Sequence, residues 1–144
     1  MSDSTSLSQI VIFSLAGEEY ALPISHVQEI IRYSQPRPVT THEPWIRGVI
    51  SLRGKIVPVC DLAVRLGSTA GDAPSANIVI VETAEGTAGM IVDDVDEVLT
   101  IDTDQLEPVP SSGADFLQGI AKVGDRLVVM LDPDRLLAGS RISA

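Results

Sequence analysis

The sequence has few aromatic residues, with one Trp, two Tyr and two Phe among its 144 residues. Val, Ile and Leu must therefore fill most of any core. The chain also has few of the aromatic side chains that line a groove for proline-rich peptides. The single cysteine, Cys60, excludes an internal disulfide, and we expect a reduced, buried thiol. No apolar run approaches the roughly 20 residues that cross a bilayer, so we expect no direct membrane insertion.

The sequence also lacks the motifs of a catalytic, metal or nucleotide site. It has no glycine loop to cradle phosphate, no GxSxG serine motif, and no Cys or His spacing suited to zinc. His26 and His42 lie far apart in sequence and have no near partner. The acidic residues between positions 93 and 97 lack the ligand spacing and turn glycine of a calcium loop. We therefore expect no catalysis, no cofactor and no bound metal.

Basic residues are scarce in the second half of the chain. Residues 1–70 carry six Lys or Arg and six Asp or Glu, whereas residues 71–144 carry four and fourteen. The net charge of −10 therefore resides in the second half, which argues against binding of nucleic acid or an anionic membrane surface. The N-terminus also lacks the basic region of a signal peptide. We expect residues 1–9 and 138–144 to form tails, the first of them flexible.

What the sequence does contain is an internal repeat. Residues 10–31 (IVIFSLAGEEYALPISHVQEII) align with residues 78–99 (IVIVETAEGTAGMIVDDVDEVL). Residues 48–66 (GVISLRGKIVPVCDLAVRL) align with residues 119–137 (GIAKVGDRLVVMLDPDRLL). The chain thus reads as two copies of a unit of about 70 residues. Because one copy alone would bury only about 60% of its unfolded surface, we expect the copies to pack together.

Short β-branched runs joined by tight turns predict strands in both copies. Four stretches read as two-stranded hairpins, at residues 10–24, 48–59, 78–92 and 120–131. The pattern predicts an all-β fold with a few short helices, built as a pair of small barrels. We expect a single domain over residues 10–137, with the first barrel at about residues 10–70 and the second at about residues 77–137. Some strands could be exchanged between the barrels, because the two halves need each other to bury apolar surface.

Helical signals are short. Residues 25–32 place Val27, Ile30 and Ile31 at helical spacing and predict one or two turns of helix. The equivalent residues in the second copy fit either a strand or a helix. Asp61 and Asp132 are each expected to cap a short helix.

Arg53 is the residue that the repeat does not explain. It lies at the tip of a hairpin between two apolar strands, and its counterpart in the second copy is Gly124. The repeated fold therefore does not require an arginine there, and a guanidinium on a rigid hairpin is suited to binding a carboxylate or carbonyl groups. Glu29 is its most plausible neighbour within the protein. Since Glu29 recurs as Glu97, a purely structural role for this glutamate stays open.

Three segments carry a resemblance to a known family. GVISLRGKIVPVCDL, the VQEI at residues 27–30 and GIAKVGDRLVVMLDPDRLL resemble the CheW-type coupling proteins of bacterial chemosensory systems, over about residues 9–137. The resemblance implies two five-stranded SH3-like barrels packed together. It also implies a non-catalytic adaptor that joins the cytoplasmic tips of methyl-accepting chemoreceptors to the regulatory domain of the histidine kinase CheA. Such an adaptor would be cytoplasmic and recruited to membrane-associated receptor arrays.

The same resemblance implies roles for individual residues. Arg53 and Glu29 would form an ion pair at a receptor-binding groove between the barrels. Val27, Ile56 and Ile78 would add apolar contacts to a receptor helix. The kinase would dock on another surface of the first barrel, which the resemblance does not place residue by residue.

Two alternatives to an adaptor remain open at this point. One is a peptide-binding module that uses an SH3-like groove, and the other is a small-molecule binder with a pocket between the barrels. The family usually has Asn at the position of Ser51, which leaves open which receptors or pathway the chain serves.

Overall fold

A computed structural model describes residues 7–40, 43–66, 77–108 and 116–137. These residues form ten strands, two four-residue α-helices and two short 3-10 turns, at Ile24–His26 and Thr103–Gln105. The strands and helices are β1 (Leu7–Leu15), β2 (Glu18–Pro23), β3 (Val27–Arg32), β4 (Ile46–Leu52), β5 (Lys55–Asp61), α1 (Leu62–Arg65), β6 (Asn77–Thr83), β7 (Gly86–Val92), β8 (Asp94–Asp102), β9 (Leu117–Val123), β10 (Arg126–Leu131) and α2 (Pro133–Leu136). The expected all-β class with a few short helices is confirmed.

The strands form two five-stranded sheets with matching order. Sheet 1 runs β8-β1-β2-β10-β9, and sheet 2 runs β3-β6-β7-β5-β4. Replacing each strand of sheet 2 by its counterpart in the repeat gives the order of sheet 1. Each sheet also contains one parallel pair at equivalent positions, Val59 beside Gly89 and Met130 beside Ala21. The repeat seen in the sequence is therefore a repeat of structure.

Neither sheet is built from one half of the chain. Strands β1 and β2 lie in sheet 1 with the last three strands, and β6 and β7 lie in sheet 2 with β3, β4 and β5. The strand exchange that the sequence permitted is thus present, and residues 10–70 and 77–137 do not correspond to the two sheets. Strand β1 begins at Leu7, so residues 7–9 belong to a strand rather than to the expected N-terminal tail. The expected C-terminal tail, residues 138–144, lies outside the described residues, as does His42.

Three apolar clusters form the interior. Sheet 1 has its own cluster around Ile10, Ile12 and Met130, and sheet 2 has one around Val59, Ile78 and Ile80. The third cluster joins the sheets, with Phe13 and Leu22 from sheet 1 and Val79 and Met90 from sheet 2. Because successive side chains of a strand point to opposite faces, the inner strand β6 contributes alternately to two clusters. Cys60 is fully buried in the third cluster.

The predicted helix over residues 25–32 is wrong. A 3-10 turn at Ile24–His26 is followed directly by β3, whose residues alternate between half-buried and exposed. Strand β3 pairs with β6, and a bulge at Gln28 shifts the pairing register between the two strands. Of the three apolar residues at helical spacing, Val27 and Ile31 pack against the interior, whereas Ile30 is exposed. The equivalent stretch of the second copy, β8, is also a strand.

Both predicted helix caps are confirmed. The carboxylate of Asp61 accepts a hydrogen bond from the backbone N–H of Val64 at 3.4 Å. The carboxylate of Asp132 accepts from the N–H groups of Asp134 and Arg135 at 3.0 and 3.4 Å. These bonds satisfy N–H groups that the first turn of a helix leaves without a partner.

Candidate functional site

The hairpin between β4 and β5 turns on Arg53 and Gly54, and both have positive φ. Their φ values are +54° and +82°, as in the two-residue turn that matches the twist of a hairpin. The left-handed conformation favours Gly and is disfavoured for residues with a Cβ. The second copy follows this preference, with Gly124 at the equivalent position and a φ of +61°. Arg53 is therefore present despite the backbone conformation of the turn.

Arg53 forms a two-point ion pair with Glu29. Its Nε lies 3.0 Å from Oε2 and its Nη2 lies 2.8 Å from Oε1 of the glutamate. Strands β3 and β4 are the two edges of sheet 2, so the pair joins Glu29 on one edge to the hairpin at the other. The sheet must curl for these groups to meet. The side chain of Arg53 is nevertheless 74% exposed, and that of Glu29 is 27% exposed.

Sheet 1 contains a related but different ion-pair arrangement. Glu97, the counterpart of Glu29, accepts from Nη1 of Arg126 at 2.6 Å. The same guanidinium also binds Glu19 through Nε and Nη2, at 2.9 and 2.7 Å. Both recurring glutamates thus bind an arginine of the facing hairpin, which gives Glu29 a structural role. The arginines are not equivalent, because Arg126 aligns with Lys55 and Arg53 aligns with Gly124.

Exposed apolar side chains lie beside the Arg53 hairpin tip. Ile56, three residues after Arg53, is 70% exposed and stands opposite Ser51 across the hairpin. Val27 lies two residues before Glu29 on β3 and is half-buried against the cluster that joins the sheets. The hairpin tip and β3 together present a bidentate ion pair flanked by aliphatic groups. A surface of this composition is suited to binding a protein partner.

The model of the CheW-like domain family matches residues 9–141. The chain belongs to this family. It is 31% identical over 140 residues to chemotaxis protein CheW of Klebsiella aerogenes, covering 94% of this chain and 84% of that protein. It is also 31% identical over 134 residues to chemotaxis protein CheW of Bacillus subtilis, covering 90% and 86%. Among solved structures, the scaffolding protein TtCheW from Thermoanaerobacter tengcongensis gives a TM-score of 0.81 at 38% identity, covering 90% of this chain and 92% of that one.

Of the five residues that the CheW resemblance singled out, four lie at or near the surface. Arg53 and Glu29 are in contact, and Val27 and Ile56 are adjacent to them in sequence. Ile78 is fully buried in the cluster of sheet 2, where it pairs with Ile31 of β3. Its side chain supports β3 from within and is not available to a partner. We therefore exclude Ile78 from the partner surface.

Ile30 is a surface residue that sequence reasoning missed. It is 40% exposed on the edge strand β3, next to Glu29, and its repeat counterpart Val98 is 48% exposed on β8. The helical interpretation of residues 25–32 placed Ile30 on a buried face. An interpretation of residues 27–32 as an edge strand would have predicted that Ile30 is exposed.

Other features of the described residues offer less specific chemistry. A cleft of about 510 Å³ between the two edge strands of sheet 1, β8 and β9, is lined in part by Leu99, Ile101 and Leu106. An ion pair between Lys122 and Glu107, 2.8 Å apart, lies beside it. No buried charged or polar side chain converges on it, since Asp61 is the one buried charged residue in the described part of the chain. In the same residues we find no group of three or more potential metal ligands, and no helix long and apolar enough to cross a membrane.

The Glu29 carboxyl should titrate at unusually low pH. Hydrogen bonds from Arg53 hold the pKa of Glu29 below its ordinary value of 4.5, although partial burial acts in the opposite direction. A lowered folded-state pKa means that the pair adds stability above pH 4.5 and loses it as pH falls through the folded-state value. Carboxyl NMR titration of wild-type protein and Arg53→Ala should show the Glu29 midpoint rising in the variant. The midpoint of Glu19, which Arg126 lowers, should stay unchanged. Equal Glu29 midpoints in the two proteins would contradict this assignment.

Proposed function

We propose that this chain is a chemosensory coupling adaptor that joins chemoreceptor cytoplasmic tips to the histidine kinase CheA. Membership of the CheW-like domain family supports this role, and the named relatives are chemotaxis and scaffolding proteins. The observation that carries the proposal is Arg53. An arginine occupies a left-handed turn position where the repeat uses Gly, and its guanidinium is held by Glu29 and left exposed. Such a residue serves recognition better than it serves the turn.

We assign the receptor to a surface made of Arg53, Glu29, Val27, Ile30 and Ile56, which we call the hairpin-tip surface. The ion pair with Glu29 uses Nε and Nη2 of Arg53, and Nη1 makes no hydrogen bond within the described residues. Its N–H groups can therefore donate to a carboxylate or to backbone carbonyls of a receptor helix. Ile30 and Ile56 are exposed and supply apolar area, as expected for an interface with a charged anchor and aliphatic contacts.

The remaining expectations follow from this role. An adaptor acts by holding two partners together, so we expect no catalytic activity from the chain itself. We expect it in the cytoplasm, recruited to membrane-associated receptor arrays through its partners. The regulatory domain of the kinase would bind a surface away from the hairpin-tip surface.

Recognition of proline-rich peptides receives no support from the aromatic residues. Phe13 and Trp45 are buried, and Tyr20 and Phe116 are half-buried. Tyr33 alone is exposed, at 38%. A polyproline groove needs several aromatic rings side by side at the surface, and these residues do not form one.

Size-exclusion chromatography of the purified chain with a receptor tip fragment and a CheA regulatory domain from the same cell tests the proposed function. We expect co-elution with each partner alone and a ternary complex with both. A variant carrying Lys122→Glu, on the hairpin of sheet 1, should behave like wild type. Failure of the chain to retain either partner would contradict the adaptor function.

A further inference from the structure

The side chain of Arg65 lies between two aromatic rings from different halves of the chain. Its Cζ is 5.1 Å from the ring centroid of Trp45 and 4.7 Å from that of Phe116. Both distances are within the range of attraction between a guanidinium and an aromatic face. Its Nε also donates a hydrogen bond to the backbone carbonyl of Leu136, at 2.8 Å. One side chain at the end of α1 thus contacts the residue before β9 and the end of α2.

The two rings are equivalent positions of the repeat. The offset that aligns Trp45 with Phe116 also aligns Asp61 with Asp132. The backbone of each pair repeats as well, because Asp61 N–H donates to the Trp45 carbonyl at 2.6 Å and Asp132 N–H donates to the Phe116 carbonyl at 2.8 Å. Arg65 therefore lies between two structurally equivalent rings, where the two copies of the repeat meet.

The repeat is broken at this meeting point for a physical reason. The counterpart of Arg65 is Leu136, the residue whose carbonyl accepts the hydrogen bond from Arg65. Only one guanidinium fits between two equivalent rings, and a second arginine at position 136 would bring a like charge to the same place. The sequence has Arg in one copy and a fully buried Leu in the other. One arginine, Arg65, therefore fills the space between the rings, and its counterpart Leu136 is apolar.

The contacts of Arg65 differ in kind from the apolar cluster between the sheets. The junction also has directional contacts at Asp134 of α2, whose carboxylate accepts from the N–H of Ala84 at 2.8 Å and lies 3.7 Å from Nε2 of His26. The cluster between the sheets is otherwise made of aliphatic and aromatic side chains such as Leu22, Val79 and Met90. Apolar contacts of this kind are non-directional, so they restrict the relative orientation of two sheets only through the shapes of the packed side chains. A planar guanidinium placed over two rings and hydrogen-bonded to one carbonyl has a defined geometry. We propose that Arg65 is a positioning residue that fixes the orientation of sheet 1 relative to sheet 2.

Distances between spin labels on the two sheets test this proposal directly. Labels at Ser51→Cys, on the exposed face of sheet 2, and Asp125→Cys, at the tip of the β9–β10 hairpin, report the arrangement by pulsed electron paramagnetic resonance. The native Cys60 is fully buried and should not react in the folded protein. Arg65→Leu, which introduces the residue of the other copy, should shift the mean distance by about 2 Å or more or broaden its distribution correspondingly. The measurement needs no partner, so its outcome is independent of the proposed adaptor function.

Two further variants keep the result interpretable. Arg135→Leu removes an arginine of α2 that is exposed and pairs with Asp132, and it should leave the distance unchanged. Phe116→Leu removes one of the two rings and should also move or broaden the distribution, even if Arg65→Leu does not fold. Superimposable distributions for wild type and a folded Arg65→Leu protein would overturn the proposal. If only Phe116→Leu folds, a distance distribution that superimposes on that of wild type would overturn the proposal in the same way.

Discussion

Replacing Arg53 with Glu should weaken binding of the receptor fragment by more than about tenfold and leave the fold intact. The substitution removes the donors that face the partner. It also places a carboxylate beside Glu29, so the two side chains repel each other and any acidic group on the receptor. Titration of labelled receptor fragment gives the affinity, and a thermal melt reports folding. Binding of the CheA regulatory domain should change much less, because we expect it on another surface.

Matched variants separate recognition from folding. Arg53→Ala should weaken receptor binding less than Arg53→Glu does, since it adds no repulsion. Arg53→Gly should bind as weakly as Arg53→Ala but melt at or above the wild-type temperature, because Gly suits the positive φ at this position. Lys122→Glu, on the β9–β10 hairpin, changes the net charge by the same amount as Arg53→Glu and should not affect receptor binding. An unfolded Arg53→Ala protein, or one that binds receptor like wild type, would contradict the assignment.

Gly48→Ala should destabilise the protein more than the same substitution at any other glycine of the β4–β5 and β9–β10 hairpins. A Cβ at Gly48 would lie 2.0 Å from the carbonyl oxygen and 2.6 Å from the carbonyl carbon of Arg37. Both are backbone atoms of a segment held to Val49 by two hydrogen bonds of 2.8 and 2.9 Å. Neither side can move without breaking this bridge, and the φ of +149° adds strain. We expect a loss of about 3 kcal/mol or more and a melting temperature lower by about 10 °C.

The repeat supplies the controls for this experiment. Gly119 is the counterpart of Gly48, and its Cβ would lie 2.9 Å from the carbonyl oxygen of Glu107, so Gly119→Ala should be milder. Gly54→Ala meets no atom within 4 Å and should cost only the backbone strain of its positive φ, about 1 kcal/mol. Denaturant melts of the three variants should rank in this order. A Gly48→Ala protein as stable as Gly54→Ala would show that the Arg37 segment moves freely.

The sequence predicted the repeat and the strands but could not predict which strands pair. Residues 10–15 and 78–83 have nearly the same apolar pattern, so β1 and β6 suit either sheet equally well. Their pairing is decided by packing of the complete chain, as in the contact of Ile12 with Glu97 across β1 and β8. Hairpins were easier to predict, because a turn such as Arg53-Gly54 determines its own pairing locally.

The candidate site was predicted in part. The ion pair of Arg53 with Glu29 was expected from the resemblance to CheW-type proteins, and the structure brings the two side chains together. Ile78 was placed wrongly, because an apolar residue in a strand looks the same in sequence whether it faces a partner or the core. Ile30 was missed because Val27, Ile30 and Ile31 also fit helical spacing, which places all three on one face, whereas in the strand only Val27 and Ile31 of the three are half-buried.

The exchange of strands between the two halves has a consequence for how this protein is made. Strand β1 leaves the ribosome before its partner β8, which follows about 80 residues later, and β10 is also needed to complete sheet 1. The first half of the nascent chain therefore cannot finish a sheet of its own, and its apolar strands wait for the second half to be synthesised. A chaperone that shields β1 and β2 during translation would then raise the yield of folded adaptor in the cell.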